Sequence, residues 1–130
     1  MEENLTRKNL VIGGFSQGGA LAYNIALRHY DEVGGVLVMS SFLPINLNDN
    51  SKNILKKFQD GKPLPGPISQ HHGDIDPMVQ IKSALLGAEH LKKLAKPGEF
   101  EFVTYRGLQH SSCPEEMTNA DNFINRVLNI

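Results

Sequence analysis

Cysteine is nearly absent from this sequence of 130 residues, in which Cys113 is the single instance. One cysteine cannot form a disulfide within the chain, which fits a reducing compartment. The chain begins with the polar run MEENLTRKN, which lacks the pattern of a signal peptide. These features predict a soluble, cytoplasmic protein.

The sequence also lacks an excess of charge of either sign and a long apolar run. The chain has 13 basic and 14 acidic side chains and a net charge of −1. Because the two signs are interspersed, we expect neither a nucleic-acid partner nor an anionic membrane surface. No apolar run approaches the roughly 18 residues that a transmembrane segment needs. The length allows one domain with a hydrophobic core, which we expect over residues 1–130.

Apolar runs typical of strands alternate with helical patterns along the chain. The patterns predict strands at 9–13, 34–40, 67–71 (short and weak) and 99–105. They predict helices at 17–29 and from Pro77 to Ala95. A last helix is predicted from Pro114 onward, with Met117 and Ala120 facing inward. A long polar excursion spans 43–67 and carries one short helix near 51–59. Strands alternating with helices imply right-handed βαβ units, so the predicted fold class is α/β with a parallel sheet.

The stretch GGFSQGG at residues 13–19 directly follows the first apolar strand. It fits the nucleophile elbow G-x-S-x-G, in which a strand turns sharply into a helix with a strained serine at the apex. We expect Gly14 and Gly18 to be glycines because side chains there would collide. Ser16 would then stand above the strand end, and the N–H of Gln17 would face a developing oxyanion.

Two other interpretations of this stretch stay open at this stage. A glycine-rich turn between a strand and a helix needs no chemistry, and the pattern also arises by chance. A phosphate-binding loop is the second alternative, but it requires a lysine after its last glycine, where this chain has Ala20. The position between an apolar strand and an apolar helix favours the nucleophile.

A serine nucleophile needs a base, and the base needs a carboxylate that orients it. Asp74 and Asp76 in HHGDIDP are the candidate acids, and His110 in GLQHSS is the candidate base. The chain order Ser, acid, His is the order of α/β-hydrolases. All three loops would follow strands and meet at the carboxyl edge of the sheet.

Structural roles compete with these chemical ones. Asp76 before Pro77 is also suited to cap a helix, and Asp74 could be a turn residue. Residues 112–115 read as a capping box for the last helix. Cys113 lies three residues from His110, but it lacks a preorganised oxyanion site, so a role as nucleophile is disfavoured.

A metal site is a further alternative for the loop after the third strand. His71, His72, Asp74 and Asp76 lie close together in the sequence. Their spacing matches no common ligand pattern, so we expect neither a metal nor another cofactor.

Four segments taken together resemble one known family. They are GGFSQGGALA at 13–22, SSFLP at 40–44, HGDIDPMV at 72–79 and GLQHSSCPEEM at 107–117. In this order they resemble the acyl-protein thioesterase and lysophospholipase-like carboxylesterase family, over nearly the whole chain. The resemblance implies an α/β-hydrolase fold, of which this chain would be the C-terminal half, with a mostly parallel sheet flanked by helices.

The resemblance also implies roles for individual residues. Carried over position by position, Ser16 is the nucleophile, His110 is the base, and Asp76 rather than Asp74 is the acid. Leu43 corresponds to a position near the acyl-binding side of such sites, which makes it a candidate substrate contact. The implied substrates are palmitoylated proteins, or lysophospholipids and simple acyl esters, with transient membrane contact.

Family members carry a segment before the elbow that this chain lacks, including a loop that supplies a second oxyanion N–H. The strand before Ser16 would therefore have an unpaired apolar edge, which invites pairing with another chain. Two hypotheses follow. One is a serine hydrolase, and the other is an inactive fragment whose exposed edge binds a partner.

Overall fold

Strands and helices alternate along the chain as the apolar pattern predicts. The computed structural model describes residues 5–44 and 54–130. The strands are β1 (Val11–Phe15), β2 (Gly35–Met39), β3 (Ile68–Gly73) and β4 (Phe100–Tyr105). The helices are α1 (Gln17–Arg28), α2 (Lys56–Gln59), α3 (Ile81–Leu94) and α4 (Pro114–Leu128), and a short 3-10 turn at Arg7–Asn9 precedes β1.

The four strands form one parallel sheet in the order β1-β2-β3-β4. Ile12 pairs with Val36, and Val36 pairs with Ile68 on the next strand. The predicted α/β class is thus confirmed. Because all strands run in the same direction, the loops that follow β1, β3 and β4 meet at one edge of the sheet.

Two apolar layers cover the sheet, one on each face. Alternate side chains of β2 point to opposite sides, with Val36 and Val38 in one layer and Leu37 in the other. The first layer includes buried residues of α1 and α3, among them Tyr23, Leu27 and Leu91. The second consists of Leu37 with residues of α4 and β1, namely Ala120, Phe123, Ile124, Val127 and Val11. The helices thereby hold the sheet from both sides.

The central strand β3 is polar yet completely buried. Most of its polar side chains are hydrogen-bonded, and His71 lies 2.7 Å from the Ser69 hydroxyl and 2.7 Å from the Tyr105 hydroxyl. The Tyr23 hydroxyl donates to Gln70. Hydrogen bonding lets a polar strand occupy the core. The strand ends at Gly73, two residues beyond the end predicted from apolar content.

The helix α3 begins at Ile81, so the predicted start at Pro77 is wrong. The Asp76 carboxylate accepts hydrogen bonds from the backbone N–H groups of Met78 and Val79, at 2.8 and 2.9 Å. These bonds fold the segment into a turn before the helix can start. Asp76 therefore does not cap α3.

The last helix starts at Pro114 as predicted, but the predicted capping box over residues 112–115 is wrong. Cys113 is the N-cap, and its side chain makes no capping hydrogen bond. The inward position predicted for Met117 is also wrong, because this side chain is 45% exposed. Ala120, one helical turn further, is buried as predicted.

The structure describes only part of the polar segment 43–67. Its short helix is α2, which lies within the predicted range 51–59. Residues 45–53, which include the first part of that range, lie outside the described residues.

The strand β1 is the terminal strand of the sheet. Large apolar side chains are exposed on β1, beside it and on α1, namely Leu10, Phe15, Leu21 and Ile25. Among the described residues, no strand pairs with the outer edge of β1. This side of the sheet therefore has both an open edge and an apolar surface.

Candidate active site

Ser16 lies at the sharp turn between β1 and α1. Its φ of 58° and ψ of −121° place it in a region that non-glycine residues rarely adopt. Its N–H donates to the Met39 carbonyl at 2.9 Å, and its own carbonyl accepts from the N–H of Gly19 at 3.0 Å. The turn is therefore anchored to the sheet on one side and to the helix on the other.

The glycine requirement of this turn is confirmed at Gly14 and wrong at Gly18. A Cβ atom on Gly14 would lie 2.2 Å from the carbonyl carbon and oxygen of Gly18. A Cβ on Gly18 would meet nothing within 4 Å. The collision is one-sided because the helix backbone crosses over Gly14, whereas Gly18 faces outward.

The three residues named from the sequence as nucleophile, base and acid lie in hydrogen-bonding order. His110 Nε2 is 2.9 Å from Ser16 Oγ, and His110 Nδ1 is 2.8 Å from Asp76 Oδ2. An ionised carboxylate only accepts hydrogen bonds, so Nδ1 carries the imidazole hydrogen. Nε2 is then free to accept the hydrogen of the serine hydroxyl.

Asp76 is buried, and its surroundings favour the ionised form. Burial raises the pKa of this carboxyl, but hydrogen bonds from Val79, His110 and Met78 outweigh burial and hold the pKa below its usual value. Oδ1 accepts from the two backbone N–H groups, which leaves Oδ2 for His110. The carboxylate is thus charged and fixed in orientation.

The other candidate acid, Asp74, has a different partner. Its Oδ1 accepts the backbone N–H of Gly107 at 2.7 Å and thereby ties the loop after β3 to the loop that carries His110. The two loops touch closely, because a Cβ on Gly73 would lie 2.1 Å from the Leu108 carbonyl oxygen. Glycine at 73 is required for this approach.

Phe15 is a neighbour of the base that sequence reasoning missed. Its ring centroid lies 5.1 Å from that of His110, with the planes inclined at 44°. The ring packs against the imidazole and limits where it can move. The position of Phe15, directly before Ser16 at the end of β1, was the signal in the sequence that could have revealed this contact.

The four residues considered as metal ligands do not converge. Within residues 5–44 and 54–130, no group of three or more His, Cys, Asp or Glu side chains is arranged to hold a metal ion. Both nitrogens of His71 face the hydroxyls of Ser69 and Tyr105 instead. Cys113 is partly buried at the start of α4.

Gln17 is the first residue of α1, so its N–H has no partner within the helix. It follows Ser16 directly and lies at the positive end of the helix dipole. This is the local environment in which the elbow motif offers an N–H to an oxyanion.

Leu43, the candidate substrate contact, is only 5% exposed and belongs to the core. A Cβ on Gly87 of α3 would lie 2.5 Å from the Leu43 Cβ, which shows how closely the two segments pack. A substrate role for Leu43 thus remains a prediction. Its neighbour Phe42 is exposed and has the access that such a role requires.

An apolar groove of about 420 Å³ lies next to Asp76. Phe42 forms one part of its lining, and the segment Pro77–Gln80 with Ser83 forms the rest. Met78 within it is 74% exposed. None of Ser16, His110 and Asp76 lines this groove, and none lines a larger cavity of about 630 Å³ whose lining includes Arg7, Lys62 and Lys96. The groove is connected to the site through Pro77, which lines it and directly follows Asp76.

The parallel sheet, the flanking helices and the serine at the strand-to-helix turn define an α/β-hydrolase fold. The sequence profile of the family described as Phospholipase/Carboxylesterase matches residues 1–128. The chain belongs to this family.

Curated relatives carry acyl-protein thioesterase names. The chain is 30% identical to acyl-protein thioesterase 1 of Saccharomyces cerevisiae over 98% of its own length and 54% of that protein. It is 35% identical to acyl-protein thioesterase 1 homolog 1 of Dictyostelium discoideum, over 98% of this chain and 52% of the relative. The chain thus spans about half the length of these relatives.

Solved structures show the same fold. SOBER1 of Arabidopsis thaliana superimposes with a TM-score of 0.77 at 28% sequence identity, over 95% of this chain and 55% of SOBER1. The resemblance to acyl-protein thioesterases and carboxylesterases predicted from the four sequence segments is confirmed.

A side chain would collide at Gly14 but not at Gly18, so we predict different effects on stability for alanine at the two positions. We expect Gly14→Ala to lower the free energy of unfolding by about 1–3 kcal/mol, because the added methyl meets backbone atoms that cannot move alone. Gly18→Ala, in open space within the helix, should leave stability unchanged or raise it by up to about 1 kcal/mol. Urea unfolding of both variants measures the difference, and equal losses would contradict it.

The lowered pKa of Asp76 predicts how stability depends on pH. Its ionised form contributes stability that is complete above its unfolded-state pKa of about 4 and is lost as the pH falls through the lower folded-state value. Asp76→Asn should therefore be less stable than the wild type at pH 7, and the gap should close in acid. Urea unfolding from pH 7 down to pH 2 tests this, and a gap that does not change with pH would refute it.

Proposed function

We propose that this chain carries the nucleophile, base and acid of a serine hydrolase that cleaves fatty-acyl thioesters of S-palmitoylated proteins. The observation that carries the proposal is the hydrogen-bonded series Ser16, His110, Asp76, with heavy-atom distances of 2.9 and 2.8 Å. The strained backbone of Ser16 at the start of α1 supports it further. Acyl transfer is the chemistry that such a series performs.

In the acylation step, His110 Nε2 takes the hydroxyl proton as Ser16 Oγ attacks the acyl carbonyl. Asp76 stabilises the imidazolium that forms and keeps Nδ1 protonated. The Gln17 N–H donates to the oxyanion of the tetrahedral intermediate. The imidazolium then gives its proton to the departing thiolate sulfur, which leaves the acyl group on Ser16.

Deacylation repeats these proton transfers with water as the nucleophile. His110 removes a proton from the water as it attacks the acyl-serine, and returns that proton to Ser16 Oγ as the fatty acid leaves. A positioned base of this kind accelerates each step by about 10²–10⁴-fold.

The acyl chain is assigned to the groove beside Asp76. Its lining includes the exposed side chains of Phe42 and Met78, which are suited to an aliphatic chain. The names of the curated relatives favour acylated proteins as substrates. None of the helices within the described residues is long and apolar enough to cross a membrane.

Lysophospholipids and small acyl esters are the second substrate class. The family description includes phospholipases as well as carboxylesterases. The same serine, base and acid would act on either class, because the chemistry at the carbonyl is shared. A preference for palmitoyl thioesters over short esters would favour the first class.

A different kind of function is suggested by the open side of the sheet. The outer edge of β1 and the exposed Leu21 and Ile25 on α1 could pair with a strand of another chain. If the hydrogen-bonded residues are inactive, this surface makes the chain a partner-binding module.

Covalent labelling with a fluorophosphonate probe tests the proposed hydrolase. We expect the wild-type chain to be labelled at Ser16, and Ser16→Ala to remain unlabelled. His110→Ala should lower the labelling rate by at least about 100-fold, because the hydroxyl loses its base. Gel fluorescence and peptide mass spectrometry measure the rate and the site.

His29→Ala is the matched control, because His29 is an exposed histidine at the end of α1 opposite to Ser16. It should label at the wild-type rate. A chain that is folded by circular dichroism and yet does not label would overturn the proposal and favour the partner-binding module.

A further inference from the structure

The larger cavity lies at the edge of the sheet opposite to the candidate active site. Its lining residues come from the segments that precede β1, β3 and β4, among them Arg7, Lys62 and Glu99. The residues of the candidate active site, in contrast, follow these strands. Each strand is five or six residues long, so a sheet of about 17–20 Å separates the two places. The cavity therefore takes no part in the proposed acyl transfer.

Positive charge is concentrated at this cavity, which we call the basic cavity. Arg7, Lys62 and Lys96 line it, together with the acidic residue Glu99. Three cations and one carboxylate give the lining a net charge of +2, whereas the whole chain has a net charge of −1. A concave surface with an excess of one sign of charge attracts ligands of the opposite sign. The charge pattern therefore favours an anion.

The three cations of the basic cavity have no acidic partner within the part of the chain that the structure describes. The ion pairs among residues 5–44 and 54–130 do not include Arg7, Lys62 or Lys96. Asp60, two residues before Lys62, binds Lys56 instead, at 2.8 Å. All three cations are exposed to solvent. Their charges are therefore available to a ligand.

Backbone hydrogen bonds fix the segments that carry these cations. The Lys62 N–H donates to the Lys57 carbonyl at 3.0 Å, and the Glu99 N–H donates to the Lys96 carbonyl at 3.0 Å. Arg7 begins a 3-10 turn that is closed by a capping box. A preformed arrangement lowers the cost of ordering a site when a ligand binds. The three charges thus converge before any ligand arrives.

The floor of the basic cavity is apolar. Phe58 in the lining belongs to the buried first layer of the core, and Leu64 and Leu94 are partly buried and pack against that layer. The Phe58 ring is held edge-on by Tyr30, with centroids 5.5 Å apart. The volume of about 630 Å³ lies within the range of about 300–1,000 Å³ that is usual for small-molecule sites. An aliphatic chain fits this floor better than water does.

We propose that the basic cavity binds an amphiphilic anion, in which a carboxylate or phosphate head group is attached to an aliphatic chain. The head group lies among the three cations, and the chain lies against the apolar floor. An inorganic anion leaves the floor exposed to water, and a neutral lipid leaves the cations without a partner. The inference does not rest on the proposed hydrolase function, because the basic cavity shares no lining residue with the groove beside Asp76.

Titration of the 15N-labelled chain with decanoate and with decyl phosphate, below the concentrations at which they form micelles, tests the site by nuclear magnetic resonance. We expect the amide resonances of Gly61 and Gly66, which line the basic cavity, to shift on binding. Tighter binding of one probe identifies the preferred head group. Failure of both probes to bind would overturn the proposal, as would shifts confined to Met78 and Val79 in the groove.

Two further probes separate the head group from the chain. Decanol should bind at least about 10-fold more weakly than decanoate, because it lacks the charge that the cations contact. Acetate should bind at least about 10-fold more weakly too, because it lacks the apolar chain. Equal affinities for decanoate and either of these probes would contradict an amphiphilic ligand.

Charge-matched variants locate the head group. Lys62→Gln combined with Lys96→Gln should weaken decanoate binding by at least about 10-fold. The control combines Lys82→Gln with Lys92→Gln, at exposed lysines of α3 that do not line the cavity. It removes the same charge and should bind decanoate as the wild type does. Equal losses in the two folded variants would show a general effect of charge and would overturn the site.

Discussion

The arrangement of the site depends on one hydrogen bond, the 2.8 Å contact between His110 Nδ1 and Asp76 Oδ2. It joins two loops whose residues are 34 positions apart in the chain. It also decides which imidazole nitrogen faces Ser16, since the carboxylate holds the hydrogen on Nδ1. The parallel sheet makes this contact feasible, because it delivers the ends of β1, β3 and β4 to one edge.

The interior beneath this edge is polar where most cores are apolar. The central strand β3 buries Ser69, Gln70, His71 and His72, and the first three are hydrogen-bonded to neighbouring side chains. A satisfied network of this kind fixes one arrangement of strands and loops.

The sequence predicted those features that depend on local rules. The apolar runs located the strands β2 and β4 and placed β1 two residues too early, and the Gly-Ser-Gly pattern located the turn at Ser16. It failed where tertiary contacts decide. The buried strand β3 extends two residues beyond its predicted end, and the turn closed by the Asp76 carboxylate delays α3. Spacing alone could not choose between Asp74 and Asp76, since that choice depends on which carboxylate faces His110.

The most direct test of the site is nuclear magnetic resonance of the histidine side chains in the 15N-labelled chain. The account predicts a strongly deshielded proton bonded to Nδ1 of His110 in the wild type. This resonance should persist in Asp74→Asn and move or vanish in Asp76→Asn. Its absence from the folded wild type, or its loss in Asp74→Asn instead, would contradict the assignment of Asp76 as the partner of His110.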